Sequence, residues 1–535
     1  MEHEFSVESR WLLVGFWLTA IIVLSPIFFV GLLCDDYQYW LRGVETASPL
    51  EVLNIQGGRA RPISTYLLML GTSAAEGSVW ILGLLRIVHH GTNAFLVSIF
   101  AAHIFPSQKH SAIAGFAFLV WSSHAEVYWQ SSLHDVLAAS FFLLTLIVAS
   151  KEELGTTGRL ASVFLLSLLA YWSKESTWCL APILMLVGCV RPKKGILPVV
   201  ASTLAFALYL PLRFAMTRAF WADVIPENLA ASSVSFEGLA KNLAAELYRL
   251  LVPGWVKSGG ASGTLVAILI LGLGAAFVIA IASFYSQELR RFLFRRDRLT
   301  IVVIAACILV ALVPISKLSV SLENTENSRY LYLPTIFFAL LISGLTQQLR
   351  TRPRAIIGLS FLIIFQAVSL HVIGWNWVAA TKDMTQYRHA LADLISSQPS
   401  KRHFVVACVP DNYRGAFSAR NTTYNLVRAA KPRWSRTSTI LSTRYSRGKA
   451  AGCDYSFDGK TLVITDKAGR FSQTNPAFYG ASQPAKAGIF EIQPDALRGY
   501  RASSLTVGWS TEPSESISIA VYDGKRLQPV LMTNN

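Results

Sequence analysis

Asp35 and Asp36 stand where the first long apolar stretch of the chain gives out, in Leu33-Cys34-Asp35-Asp36-Tyr37. A carboxylate is costly in hydrocarbon, and two adjacent ones repel each other. A membrane tether has no use for such a pair. Acidic residues fixed at the exit of a membrane helix, with the amphipathic stretch Tyr37–Met69 behind them, point to a reaction centre at the bilayer surface. A solvated loop start is the competing reading.

Other ionisable groups recur where apolar segments end. Arg86, His89, His90 and Asn93 have the i, i+3, i+4, i+7 spacing of one helical face, so they serve either as glue between helices or as a cavity wall. The hairpin that follows carries His124, Glu126, His134 and Asp135. Those four are chemically able to bind a metal, but their spacing fits no standard zinc pattern and suits a hydrogen-bond network equally. No cofactor is required, and a divalent metal stays open. Lys174, in Trp172-Ser173-Lys174-Glu175-Ser176, is placed to hold an anion at the start of a helix, whose free N–H groups would add to the attraction. Arg329, beside Tyr330 and Tyr332 at the membrane surface, suits a phosphate head group; a snorkelling anchor is the alternative.

The elements that must position these groups are membrane helices. Of 535 residues, 53% are hydrophobic and only 15% charged, with a mean hydropathy of +0.43, which marks a polytopic membrane protein. Eleven spans are expected, at about 11–33, 78–104, 110–126, 132–150, 159–173, 177–190, 195–213, 263–285, 299–316, 331–348 and 355–374. The first is a retained helix, too long for a signal segment and without a cleavage site. Three loops on one side carry Arg191, Lys193 and Lys194; Arg290, Arg291, Arg295, Arg296 and Arg298; and Arg350, Arg352 and Arg354. Only Glu288 and Asp297 oppose them, so these loops face the cytoplasm and the N-terminus lies inside. Asp35 and Asp36 then face outward, and so does the C-terminal part. The net charge of +16 is thus partly positive-inside bias and no sign of nucleic-acid binding. A basic exported tail would favour anionic lipid head groups, or serve solubility alone.

After the last span, Trp375–Gln398 has apolar residues at helical intervals and reads as a surface-lying helix. Strands follow at 403–408, 461–464, 489–492 and 516–521, so residues 399–535 read as a small α/β or mostly β domain. The division expected is 1–375 transmembrane, 376–398 interfacial linker and 399–535 extracytoplasmic. Cys408 and Cys453, both in the exported tail, could pair there, and Asn421-Thr422-Thr423 matches a glycosylation sequon. There is no Cys-x-x-Cys, Walker loop or Gly-x-Gly-x-x-Gly, so nucleotide and haem chemistry find no support.

Five stretches of this chain resemble the membrane-embedded GT-C glycosyltransferases, which take a sugar from a polyprenyl-phosphate carrier. They are Cys34-Asp35-Asp36-Tyr37, Arg59-Ala60-Arg61-Pro62, His124-Ala125-Glu126-Val127 with Asp135-Val136-Leu137, Lys174-Glu175-Ser176, and Arg329-Tyr330-Leu331-Tyr332-Leu333-Pro334. The likeness is greatest to the membrane half of the transmembrane-and-tetratricopeptide O-mannosyltransferases and extends distantly to protein O-mannosyltransferases and aminoarabinose transferases. It covers roughly residues 11–375. His134 stands where that family usually has arginine, and the tail lacks helical repeats.

The resemblance implies an all-α, GT-C-like membrane domain and inverting sugar transfer to an extracytoplasmic acceptor, whether glycan, lipid or protein, in a bacterial inner membrane. Asp35 or Asp36 would be the base, the other positioning it or an arginine such as Arg61. Lys174, Arg329 and Tyr330 would hold the donor phosphate. Arg59, Arg61, Arg86, His90, His124, Glu126, His134, Asp135 and Glu175 would line the substrate cavity. The alternatives are a lipid-sugar transporter or flippase, for which inverted repeats would be expected, and a polysaccharide polymerase or ligase using a diphosphate donor.

Overall fold

A computed structural model describes residues 7–45, 61–74, 78–105, 108–151, 155–190, 196–217, 236–254, 296–316, 325, 327–348 and 353–400, then the strands between 403 and 529 with a few adjoining residues. Arg59, the expected span 263–285 and the sequon at 421–423 lie outside the described residues, as do most of the basic inner-loop residues.

The helices are α1 (Val7–Val23), α2 (Asp36–Glu45), α3 (Pro62–Ala74), α4 (Val79–Ile104), α5 (Gln108–Val120), α6 (Leu133–Ser150), α7 (Thr156–Ser173), α8 (Leu180–Val190), α9 (Leu197–Thr217), α10 (Phe236–Leu251), α11 (Arg296–Leu312), α12 (Tyr332–Gln348) and α13 (Pro353–Ser397). The chain is thus mostly helical, with a strand region near the C-terminus. Five segments are long and apolar enough to cross a bilayer: 80–104, 130–150, 197–215, 328–347 and 356–397. Arg10–Val23, Glu175–Gly188 and Leu299–Ile315 are shorter apolar helices, so the expected count of eleven spans is not reached among the described residues. On α13, Ile357, Phe361, Ile364, Val368 and Val372 form one exposed stripe at helical spacing; on α9, Leu197, Val200, Leu204, Leu208 and Leu212 form another. Stripes of large apolar side chains fit contact with lipid, as in a membrane protein.

Three expectations need correction. The first apolar stretch is not one helix to residue 33: Pro26 lacks an N–H and cannot continue α1, so a 3-10 turn, Ser25–Phe29, takes over and the chain then extends to Cys34. The third ends at Val120, and His124 and Glu126 lie in a buried 3-10 segment, Ser122–Tyr128, that leads through Gln130–Ser132 into α6. Irregular backbone is tolerated there because protein surrounds it. Nor is Trp375–Gln398 a separate surface-lying helix. No proline or glycine interrupts residues 375–397, so α13 runs unbroken for 45 residues.

Close helix contacts tie the bundle together. Gly115 on α5 sits so tightly against Phe16 and the Ala94 carbonyl that a Cβ there would overlap both. The C-terminal part is mostly β, with two sheets. One has the order β12-β11-β1-β3-β6-β9, with β1 (His403–Tyr413) parallel to β11 (Ile517–Tyr522) and β3 (Ile440–Arg447), and β2 (Ala416–Phe417) paired to the end of β1; β6 is Phe471–Ser472, β9 Arg501–Ala502 and β12 Leu527–Pro529. The other is antiparallel, β4-β5-β10-β8-β7 (453–457, 461–466, 504–509, 490–494 and 485–487). Phe404 to Val409 of β1 are buried on both faces, as suits a central strand. The first sheet meets α13, where Tyr387 and Tyr522 pack edge to face at 5.5 Å. Cys408 is disulfide-bonded.

Candidate active site

A cavity of about 100 Å³ opens at the end of the bundle nearest the strand region. Asp35 at the start of α2, Arg61 before α3, His134 in the first turn of α6, Lys174 and Glu175 after α7, and Arg329 and Tyr330 before α12 all line it. Seven residues singled out in the sequence therefore converge, from segments almost 300 positions apart. Tyr39, Trp129, Ser131, Ser176, Pro314 and Ile315 complete the wall and were not foreseen. The spacing of Tyr39 one helical turn beyond Asp35 was the available signal.

The adjacent aspartates part company. Asp35 reaches the cavity and accepts a weak thiol contact from Cys34 at 3.6 Å. Asp36 is fully buried behind it, where its carboxylate accepts the Leu33 N–H at 3.0 Å and the Ser131 hydroxyl at 2.5 Å. Burial drives its pKa up to about 7 against the lowering effect of those hydrogen bonds and of Arg86. Asp36 is a brace for the loop, and it faces Arg86 rather than Arg61.

Each cation on the wall is pinned by an acid. Lys174 pairs with buried Asp135. Arg329 reaches Glu126 at 3.4 Å, stacks over Trp129 at 4.6 Å and donates to the Tyr330 hydroxyl at 3.2 Å. Arg61 grips Glu175 through two nitrogens, at 2.6 and 2.8 Å, and Glu175 also takes a hydrogen bond from Arg213 of α9 at 3.2 Å. Among the described residues, this set pairs four cations with three carboxylates. Burial lowers the Lys174 pKa, and Asp135 opposes that; Glu175 holds the Arg61 pKa above its usual value despite burial. Arg213 is fully buried and went unrecognised, because an arginine at the end of an apolar segment reads as an anchor. Arg329 is half-buried in this clamp rather than resting on the surface. Lys174 stands at a helix N-terminus, as the N-cap of the 3-10 turn Glu175–Cys179 that runs directly into α8.

Hydrogen counting fixes one further feature. Ser64 spends its hydroxyl proton on the Ser173 carbonyl at 2.9 Å, so it accepts from His134 Nδ1 at 2.5 Å. His134 then carries a proton on Nδ1, and its Nε2 shares a hydrogen bond of 3.1 Å with the Tyr39 hydroxyl at the cavity wall.

Five expected cavity residues lie behind the wall, among them Asp135, which reaches the cavity only through its pair with Lys174. Arg86 donates to the Tyr128 and Val30 carbonyls; His90 and Asn93 converge on the Tyr332 hydroxyl at 2.7 and 3.2 Å. The polar stripe of α4 is therefore interhelical glue, with His89 outside it, bonded to its own helix at Leu85. His124 packs as an aromatic ring, its centroid 4.6 Å from Phe118 and Tyr332 and 4.9 Å from His90, and neither of its ring nitrogens has a hydrogen-bond partner. Burial holds His124 neutral, with a pKa well below the ordinary value. Glu126 serves Arg329 from behind. Among the described residues no three His, Cys, Asp or Glu side chains gather as a metal site would require. No protein-family model matches the chain, and no curated protein is significantly similar to it in sequence.

Proposed function

We propose that this chain is an inverting membrane glycosyltransferase that moves a sugar from a polyprenyl-phosphate carrier to an extracytoplasmic acceptor. One observation carries the reading. Two carboxylates, Asp35 and the arginine-bound Glu175, share a cavity with Lys174, Arg329 and Arg61 at one end of an apolar bundle, and Asp35 is the one not held in that arginine clamp. The acceptor hydroxyl attacks the anomeric carbon while Asp35 takes its proton. The bond from that carbon to the phosphate oxygen breaks, and its electron pair leaves on the phosphate, where Lys174 and Arg329 meet the developing charge. Because buried acids already pin both cations, little reorganisation accompanies the step. The outward orientation inferred from the basic loops places the cavity in the periplasm or its equivalent.

Purified protein, given a panel of polyprenyl-phosphate hexoses and pentoses with a membrane extract as acceptor, is expected to release polyprenyl phosphate from at least one donor in an acceptor-dependent way. Carrier flipping between leaflets with no phosphate release would sink the proposal. A periplasmic reporter fused after Gln398 should be active and one at Lys193 silent; the reverse would put Asp35 on the wrong side.

A further inference from the structure

Asp35 is held from two directions, and one of them is the C-terminal part of the chain. The residue before it, Cys34, has φ = 49°, a left-handed conformation that a side chain without a local hydrogen-bonding habit rarely adopts. Such backbone persists only where its surroundings over-determine it. From the bundle, Ser131 and the Leu33 N–H hold Asp36, and Trp129 Nε1 donates to the Leu33 carbonyl at 3.2 Å. From the other side, the Cys34 N–H donates to the Ser418 carbonyl at 3.0 Å. The Gly31 N–H donates to Thr381 Oγ1 of α13 at 3.2 Å, and the Arg388 side chain hydrogen-bonds buried Tyr37. Ser418 is itself fixed. It is fully buried, follows β2 on the edge of the first sheet, and donates its hydroxyl to the Ala380 carbonyl at 3.4 Å.

We propose that Ala416–Ser418, docked on α13, is a positioning element for the reaction: it keeps Cys34 left-handed and so aims Asp35 into the cavity. The strand region is then part of the active site's support and not only a separate module for recruiting an acceptor. The catalytic half of this inference rests on the function proposed above; the loop-holding half does not.

The test uses the full-length protein in lipid nanodiscs. Cys34 is 1% exposed, so its thiol reports loop release. Ser418→Ala with Thr381→Val should raise its rate of maleimide alkylation, read by peptide mass spectrometry, at least ten-fold while the melting temperature stays within a few degrees. It should lower kcat several-fold at unchanged donor KM. Adding Cys34→Gly, which adopts φ > 0 without penalty, should restore much of that kcat, a rescue that general destabilisation would not give. If the double variant folds poorly, Thr381→Val alone should give a two- to three-fold rise in alkylation. Unchanged alkylation in folded variants overturns the proposal, and so does raised alkylation with wild-type transfer. Should Asp35→Asn remain active, the proposed function fails by itself, whatever the thiol reports.

Discussion

The cavity wall and the layer behind it are built from the same residue types. Asp35, Arg329 and His134 line the cavity; Asp36, Arg86 and His124 lie beyond it. In the outer set the side chains are bound by their neighbours and still line the cavity. In the inner set the polar atoms are spent on backbone, as in Arg86 on the Tyr128 and Val30 carbonyls, or packed away, as in the His124 ring. Residue type sets what a group could do; the direction of its remaining atoms sets what it does. The outer set should therefore govern transfer, and the inner set folding.

The aspartates offer the strongest way to break that comparison. Asp35→Asn removes the base at nearly constant volume and should cost ~10²- to 10⁴-fold in transfer. Asp36→Asn can keep the brace, its amide oxygen taking the Leu33 N–H and its NH₂ donating to Ser131, so transfer should stay within a few-fold of wild type. The signs also differ in stability. Asp36 holds its proton to about pH 7 in the folded state but loses it near pH 3.8 when unfolded. Folded protein thus binds more protons between those values, and stability falls as pH rises through that window, by roughly 4 kcal/mol at most. Melting temperature should decline from pH 5 to pH 8 in the wild type and lose most of that slope in Asp36→Asn. Equal loss of transfer in both variants would show that burial does not separate the roles.

Arginine gives a smaller but still large contrast. Arg86→Met leaves two buried carbonyls without their donor and should destabilise by a few kcal/mol, with little direct effect on chemistry. Arg329→Ala should lower transfer about ten-fold or more, as the loss of a charge-assisted contact worth ~1.5–3 kcal/mol implies. It also strips buried Glu126 of its ion pair, so melting temperature should fall too. Adding Glu126→Gln should recover the melting temperature and leave transfer low. Recovery of both would make Arg329 a structural clamp.

Much of this arrangement could be read from sequence, for a physical reason. Charges are expensive in an apolar segment, so Asp35, Lys174 and Arg329 announce themselves by being there at all. The strands at 403–408 and 516–521 were equally plain from their β-branched runs, and they became the central pair β1 and β11. What could not be read was direction. Nothing in Asp35-Asp36 tells which carboxylate turns inward, because that follows from Ser131, almost a hundred residues away. Nor could Arg213 be assigned, since its partner Glu175 lies on another element and a lone arginine after an apolar run looks like an interfacial anchor. The continuous α13 was missed because a bilayer-length rule ends a span where the helix itself has no reason to stop.

The histidines give the smallest expected effect and the finest test. The Tyr39 hydroxyl lines the cavity 3.1 Å from His134 Nε2, and His134 is itself anchored on Ser64 through Nδ1. A sugar or acceptor hydroxyl placed there can hydrogen-bond the Tyr39 oxygen. Tyr39→Phe removes that partner and should cost about three- to ten-fold in kcat/KM, the value of one neutral hydrogen bond of ~0.5–1.5 kcal/mol. His124→Phe should leave transfer within about two-fold of wild type, because the His124 ring packs against Phe118 and Tyr332 and is not part of the cavity wall. Loss of transfer in His124→Phe with none in Tyr39→Phe would reverse the assignment of wall and backing for this pair.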